Sequence, residues 1–380
     1  MITDLIGLGL ETTGRLSRRQ ALLGAASLLA LAGRERPPNV IGIDNPDMPV
    51  AQLHEGREHI IFMGSTRAAS DVIGTFYGSE RSPDLGLSSV DVHIPPTHVP
   101  GNLEMPKQLP PDPTTEFAIV APAVYASDAA FIAGINRALA LLPPDKCDIL
   151  VFVHGYNTTA SEALLRLGQF VEDTGYQGVP VLFTWASAGQ ATKYVYDINS
   201  ALVARPQFGQ MAALLSQTNA RGFDVFAHSM GGFLTMEGVL ALDLQGKFNT
   251  RGRLKTLVLA SPDIDIDLFE SQLAQMDIDK SKIFVLVSSD DGALRLSRFL
   301  SGGVVRLGAA DAERVAALGV NVVDLSQISD ETSGSHSKFA SSPEVVQLIG
   351  AALNANPGAM YGGSPLSSML AGVPIRVFRN

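Results

Sequence analysis

Ser229 lies in the run Phe223-Asp224-Val225-Phe226-Ala227-His228-Ser229-Met230-Gly231-Gly232. An apolar, β-like stretch meets a serine flanked by small residues, and a helix-like stretch follows from Phe233. This is the layout of a nucleophile elbow, a sharp strand–turn–helix corner that lifts a serine hydroxyl above a sheet. The small residues have a steric reason. The corner brings strand and helix backbones together, and a large side chain two positions before or after the serine would collide with them. Ala227 stands where the usual motif has glycine, and alanine is small enough to fit.

A serine that attacks must lose its proton, and histidine is the usual base. In this architecture the chain order is serine, acid, histidine. Of the seven histidines only His336 lies well beyond Ser229. It sits in the polar loop Thr332-Ser333-Gly334-Ser335-His336-Ser337, after the strand-like run 320–325. The acid is more open. The apolar run Ile283–Val287 ends in Ser288-Ser289-Asp290-Asp291-Gly292, which makes Asp291 the first choice and Asp290 the second. Asp263, Asp265 and Asp267 after the preceding strand, and Asp324 after the last, compete with them. Any of these also suits a turn or a helix cap.

The oxyanion of an acyl transfer needs fixed donors. One is the N–H after the nucleophile, Met230. The other is sought in the loop after an earlier strand, where Ile149–Val153 runs into His154-Gly155-Tyr156-Asn157. Tyr156 N–H is the expected second donor, and Gly155 lets the backbone approach the substrate. His154, Gly155, Trp185 and His228 are placed around the pocket. The competing reading of the two histidines is hydrogen bonding within the loop and packing under the turn, and that of Trp185 is plain packing.

These residues must be held by a framework, and the chain supplies one. Strand-like runs occur at 60–63, 117–121, 149–153, 181–185, 224–227, 256–260, 283–287 and 321–325. Helix-like stretches lie at 128–142, 160–172, 199–215, 233–242 and 343–353. Continuous apolar strands alternating with amphipathic helices indicate a mostly parallel α/β sheet of about eight strands with helices on both faces. Every candidate named above falls at a strand's carboxyl end, where such sheets bind ligands.

The strand–His154-Gly155-Tyr156-Asn157 segment, the elbow, the Asp290-Asp291 strand end and His336 together resemble the α/β-hydrolase superfamily. Gly64-Ser65-Thr66-Arg67, Phe76-Tyr77-Gly78-Ser79-Glu80-Arg81, His93-Ile94-Pro95, Phe183-Thr184-Trp185 and Ala260-Ser261-Pro262-Asp263-Ile264-Asp265 are similar to a bacterial esterase/lipase-like branch of largely uncharacterised function. The resemblance spans about residues 58–352. It implies an α/β-hydrolase fold and a serine hydrolase acting on carboxylic esters, small or lipid-like, without a cofactor. Other acyl-transfer chemistry (amidase, peptidase, thioesterase) and a non-catalytic envelope binding protein are the alternatives on the same fold.

Composition narrows the classes further. The net charge is −10 and Lys and Arg form no basic patch, which argues against nucleic-acid binding. The single cysteine, Cys147, has no disulfide partner within the chain, and no Cys/His spacing suggests a metal site. Ser17-Arg18-Arg19-Gln20 leads into the apolar run 21–32, which resembles a twin-arginine export signal with a small-x-small cleavage site at Ala30-Leu31-Ala32. The domain reading is therefore a signal over 1–33, a linker over 34–57, a hydrolase domain over 58–353 and a Gly/Ser/Pro-containing tail over 354–380. It implies contact with an export machinery, no stable transmembrane span in the mature chain, and a periplasmic or secreted bacterial protein.

Overall fold

The computed structural model describes residues 56–70, 77–328, 335–354 and 375–378. The proposed export signal, nearly all of the linker and most of the C-terminal tail lie outside the described residues. Ten strands form one sheet: β1 (Arg57–Ala69), β2 (Tyr77–Ile94), β3 (Ala118–Val124), β4 (Asp148–Val153), β5 (Val179–Thr184), β6 (Gly222–His228), β7 (Leu254–Ala260), β8 (Ile283–Val287), β9 (Asn321–Asp324) and β10 (Arg376–Phe378). Their order across the sheet is β10-β9-β8-β7-β6-β4-β5-β1-β2-β3. From β9 to β1 every neighbouring pair is parallel, while β10, β2 and β3 pair antiparallel at the two margins.

The sequence reading had eight strands, and two more are present. One is β2, whose first half, Tyr-Gly-Ser-Glu-Arg-Ser-Pro-Asp, is polar and extends past the core; only Leu87–Ile94 is largely buried. The other is β10, three residues from within the 354–380 tail that pair with Val322–Asp324. The alternating run Val90–Ile94 of β2 follows a long polar stretch that masks it, and β10 is too short to show a pattern. The stretch 199–215 is two helices, Tyr194–Val203 and Arg205–Leu215. Pro206 stands in the first turn of the second, where its missing N–H and its ring stop one helix from running into the next.

The central strands alternate between two apolar cores. Val151 and Val153 of β4 face one, with Phe183, Met211 and Leu257. Leu150 and Phe152 face the other, with Phe170, Phe226 and Phe339. Both faces are covered by helices, so these strands read as unbroken apolar runs. The helix Ala160–Thr174 shows how punctuation fixes an element. Thr159 and Glu162 form a reciprocal capping box at its start, and Gly175 closes it in the left-handed region at φ 59°.

The Pro-rich excursion between β2 and β3 docks far from the strand carboxyl ends. His98 bonds Glu104 Oε2 within the excursion and Asp173 Oδ1 in the last turn of Ala160–Thr174, both at 2.7 Å. Gly101 N–H adds a bond to Asp173 Oδ2 at 2.9 Å. Two carboxylates on one ring require both ring nitrogens to carry protons, so His98 is an imidazolium. Burial works against that charge, but the hydrogen bonds that His98 donates to Asp173 and Glu104, and then the charges of those carboxylates, outweigh it and raise the pKa. A raised folded-state pKa stabilises fully below the unfolded value and is lost as pH rises through the folded one. His98→Asn should therefore lower the melting temperature more at pH 6 than at pH 9. An equal loss at both pH values would contradict an imidazolium here.

Candidate active site

Ser229 occupies the corner between β6 and the helix Met230–Asp243, with φ 55° and ψ −124°. A non-glycine residue held there stores about 1–3 kcal/mol of backbone strain. Three bonds hold it. Ser229 N–H donates to Ala260 O at 2.9 Å, and Gly232 N–H and Asp263 N–H donate to Ser229 O at 2.9 and 3.1 Å. The small residues act as the sequence suggests. A Cβ on Gly231 would stand 2.4 Å from His154 O and 2.5 Å from Val153 O, and one on Gly155 would stand 2.9 Å from Ser229 Cβ. These backbones meet only because both side chains are missing.

Across the strand ends, His336 Nδ1 lies 2.8 Å from Asp291 Oδ2. Asp291 is fully buried, and its other oxygen caps the helix Gly292–Leu300 by accepting from Leu294 N–H at 2.9 Å. The cap fixes the carboxylate and leaves one oxygen for the imidazole. Burial alone would lower the His336 pKa, but the charge and hydrogen bond of Asp291 overcome it and hold the pKa above the free value of 6.5. The His336 loop is tied to His228, the residue before Ser229. His228 Nε2–H donates to His336 O at 3.1 Å, and the two rings are 4.8 Å apart. Among the described residues Ser229 Oγ makes no hydrogen bond to His336. Such contacts are often long before substrate binds.

Asp290 faces a different partner. Its oxygens receive Lys338 Nζ at 2.9 and 3.0 Å and Ser335 Oγ–H at 2.6 Å. Lys338 is 1 % exposed, and it also donates to Ser288 Oγ and Leu325 O, each at 2.9 Å. Ser335 and Lys338 flank His336, so Asp290 clamps the loop rather than the ring. The remaining aspartates are engaged as well. Asp265 caps the helix Ile266–Gln275, and Asp324 pairs with Arg376 of β10 at 2.6 Å. Asp263 takes Arg306 Nε–H at 2.6 Å, Tyr194 O–H at 3.0 Å and Ser297 O–H.

The loop facing Ser229 rests on a buried polar scaffold. His154 Nε2 accepts from Trp185 N–H at 3.2 Å and sits 3.0 Å from Thr184 Oγ1, so Nδ1–H donates to Gly155 O at 2.9 Å. Burial, followed by the charge of Arg67, brings its pKa down to about 3. It is a neutral ring whose hydrogen bonds are committed to its own loop and to the end of β5. Trp185, fully buried, stacks on it at 5.2 Å and donates from Nε1 to His154 O at 2.8 Å. Both residues hold the loop from beneath. His228 is likewise neutral, its pKa pushed well below 6.5 by burial and then by His336.

Two further residues of this scaffold have no role in the sequence reading. Arg67 donates to Thr184 Oγ1, Gly78 O, Ser187 O and Thr158 O at 2.7–3.1 Å, which ties β1 to the loops after β4 and β5. Asp197 accepts from Asn157 N–H at 3.1 Å, Ser187 O–H at 2.6 Å and Ala188 N–H at 2.8 Å. The polar end Gly64-Ser65-Thr66-Arg67 of β1, directly after the apolar run Ile60–Met63, was the available signal for the first. Nothing local marks the second.

The chain belongs to a family described as alpha/beta hydrolase of unknown function (DUF900), whose model matches residues 134–352. The ten-stranded sheet and the elbow are the α/β-hydrolase fold. No curated protein matches the chain. Solved structures that it resembles distantly include one of two fungal esterases from Rhizomucor miehei, at 14 % identity over 89 % of this chain and 98 % of that one, TM-score 0.37. A hyperthermophilic esterase from the archaeon Pyrobaculum calidifontis aligns at 12 % identity over 88 % and 91 %, TM-score 0.35. Brefeldin A esterase, a bacterial homologue of human hormone-sensitive lipase, aligns at 14 % over 90 % and 86 %, TM-score 0.38.

The geometry gives the two adjacent aspartates separable signatures. An asparagine at 291 has one oxygen, and both the helix cap and His336 Nδ1–H require it. The far-downfield proton resonance of a carboxylate-bound imidazole N–H should vanish in Asp291→Asn and survive in Asp290→Asn. Survival in the first variant, or loss in the second only, would show that the pairing is assigned to the wrong carboxylate.

Proposed function

We propose that this protein is a serine hydrolase that cleaves carboxylic esters through an acyl-enzyme. The observation that carries the reading is the hydrogen-bonded Asp291–His336 pair, tied through His336 O to His228, the residue before a serine held at φ 55° on an elbow. His336 Nε2 takes the Ser229 Oγ proton as Oγ bonds to the ester carbonyl carbon. The oxygen that gains charge is held by Met230 N–H, which starts a helix and so has no acceptor within it, and by Tyr156 N–H. The approach of Gly155 to Ser229 supports placing the second donor in this loop. The tetrahedral adduct collapses, the C–O bond to the alcohol breaks, and the alcohol leaves with the proton from His336. Water then loses a proton to His336, attacks the acyl carbon and releases the acid, returning the proton to Ser229. Asp291 keeps the ring in the tautomer with Nε2 free and stabilises its protonated form.

The paired arginines Arg18-Arg19 ahead of the apolar run 21–32 support delivery of the folded enzyme to the periplasm or exterior of a bacterium.

Hydrolysis of p-nitrophenyl esters of graded acyl length tests the reading. Ser229→Ala and His336→Ala should each lose at least about 10³-fold in kcat/KM, and Asp291→Asn on the order of 10⁴-fold. The base must be neutral to act and its pKa is raised, so the acid limb of kcat/KM against pH should have its midpoint above 6.5. Turnover that persists in Ser229→Ala, or an acid limb below 6.5, would contradict the proposed roles.

A further inference from the structure

A cavity at the opposite end of the sheet from Ser229 has no role in the proposed chemistry. It has a volume of about 1070 Å³ and lies between one sheet face and the helices Arg205–Leu215 and Met230–Asp243. Phe183, Phe208, Met211, Leu215, Val239 and Leu257 supply apolar walls. Phe223 and Leu254, at the amino ends of β6 and β7, border it, as does the loop 247–251. Phe223 is six residues before Ser229 on one strand, which places it about 20 Å from the serine. Neither Ser229 nor His336 lines the cavity.

Two properties argue for an occupant. The size is at the top of the range of about 300–1,000 Å³ found for small-molecule sites, whereas ordinary interiors hold few voids larger than a water. Water in apolar walls lacks the polar partners that would retain it. The second property is charge. Among the described residues the lining includes Arg205, Lys247, Arg251 and Arg253 and no carboxylate, in a chain whose net charge is −10. Glu237 neutralises Arg205 at 2.7 Å. The other three have no ion-pair partner among the described residues. Lys247 reaches only Gln245 Oε1, at 3.1 Å, and Arg251 only Ser216 O, at 2.9 Å. Arg253 donates to Thr218 O and Ala220 O at 3.1 and 2.7 Å and to Ser216 O, while its Nε is buried without a partner.

We propose that this cavity is a second ligand site, separate from Ser229, for a long-chain carboxylate whose alkyl chain fills the apolar space and whose head meets Lys247, Arg251 and Arg253. An aliphatic chain matches walls of Leu, Met, Val and Phe. A guanidinium pair and an ammonium bordering the cavity match a carboxylate. Glycine at 209 keeps part of the space open. A Cβ there would stand 3.4 Å from Leu242, itself a lining residue, so a larger side chain at 209 crowds this wall of the cavity.

Calorimetric titration of the full-length chain with palmitate tests this, together with hydrogen–deuterium exchange. One saturable site per chain is expected, with protection over 205–215 and 247–254, and undiminished binding in Ser229→Ala. The double variant Lys247→Gln, Arg251→Gln, which leaves the internal bonds of Arg253 in place, should weaken palmitate at least tenfold. Gly209→Leu should do the same, and methyl palmitate should bind wild type at least tenfold more weakly than palmitate. Ester hydrolysis should be unchanged in both variants. No saturable binding, affinity unaltered in both variants, or protection confined to the segments around Ser229 would overturn the proposal. So would binding to phosphatidylglycerol vesicles without binding to monomeric palmitate, which would make the basic rim a membrane contact.

Discussion

The corner at Ser229 constrains everything around it. Its backbone is held in the left-handed region, and the strain is compensated only where strand, helix and facing loop close on it at short range. Gly231 against the carbonyls of Val153 and His154, and Gly155 against Ser229 Cβ, leave no room for a side chain. The end of β4 is thereby pinned to the start of the helix Met230–Asp243. Backbone donors near the serine hydroxyl then owe their position to the same two contacts.

Around this corner the protein spends charged groups in places that are costly to desolvate. Arg67, Arg306 and Lys338 are each buried, and each is surrounded by carbonyl, hydroxyl or carboxylate oxygens. A buried cation without partners would be strongly destabilising, whereas one with every donor used fixes the groups it touches. Arg67 fixes the loops after β4 and β5. Arg306, through Asp263, fixes the turn whose N–H holds Ser229 O. Lys338, through Asp290 and Ser335, fixes the loop of His336. Three separate networks therefore bear on a serine and a histidine that belong to different loops.

Much of this was legible in the sequence because the local signals agreed. The apolar runs of β4 to β9, the small residues about Ser229 and the lone late histidine each pointed to the same strand edge. Of the candidate aspartates, Asp291, the first choice, is the one that touches the imidazole. What distinguishes it from Asp290 was not readable, because the partner of Asp290 is Lys338, brought near by folding. The roles of Asp197, Tyr194 and Arg306 were hidden for the same reason. His154 and Trp185 were marked for their place near the elbow, but their polar atoms turn toward each other and the loop. Proximity in sequence to a strand end says nothing about which way a side chain bonds. The strands β2 and β10 escaped notice because one begins as a polar extension and the other is only three residues long.

The most direct test is the rate at which a fluorophosphonate modifies Ser229, followed by mass spectrometry of the modified peptide across pH, in wild type and in Asp291→Asn. If Asp291 and His336 activate this serine, wild type is labelled on Ser229 alone, the rate rises with pH through a midpoint above 6.5, and Asp291→Asn loses at least about 10³-fold of it. Labelling elsewhere in the chain, or on Ser229 at a rate that Asp291→Asn leaves unchanged, would contradict it.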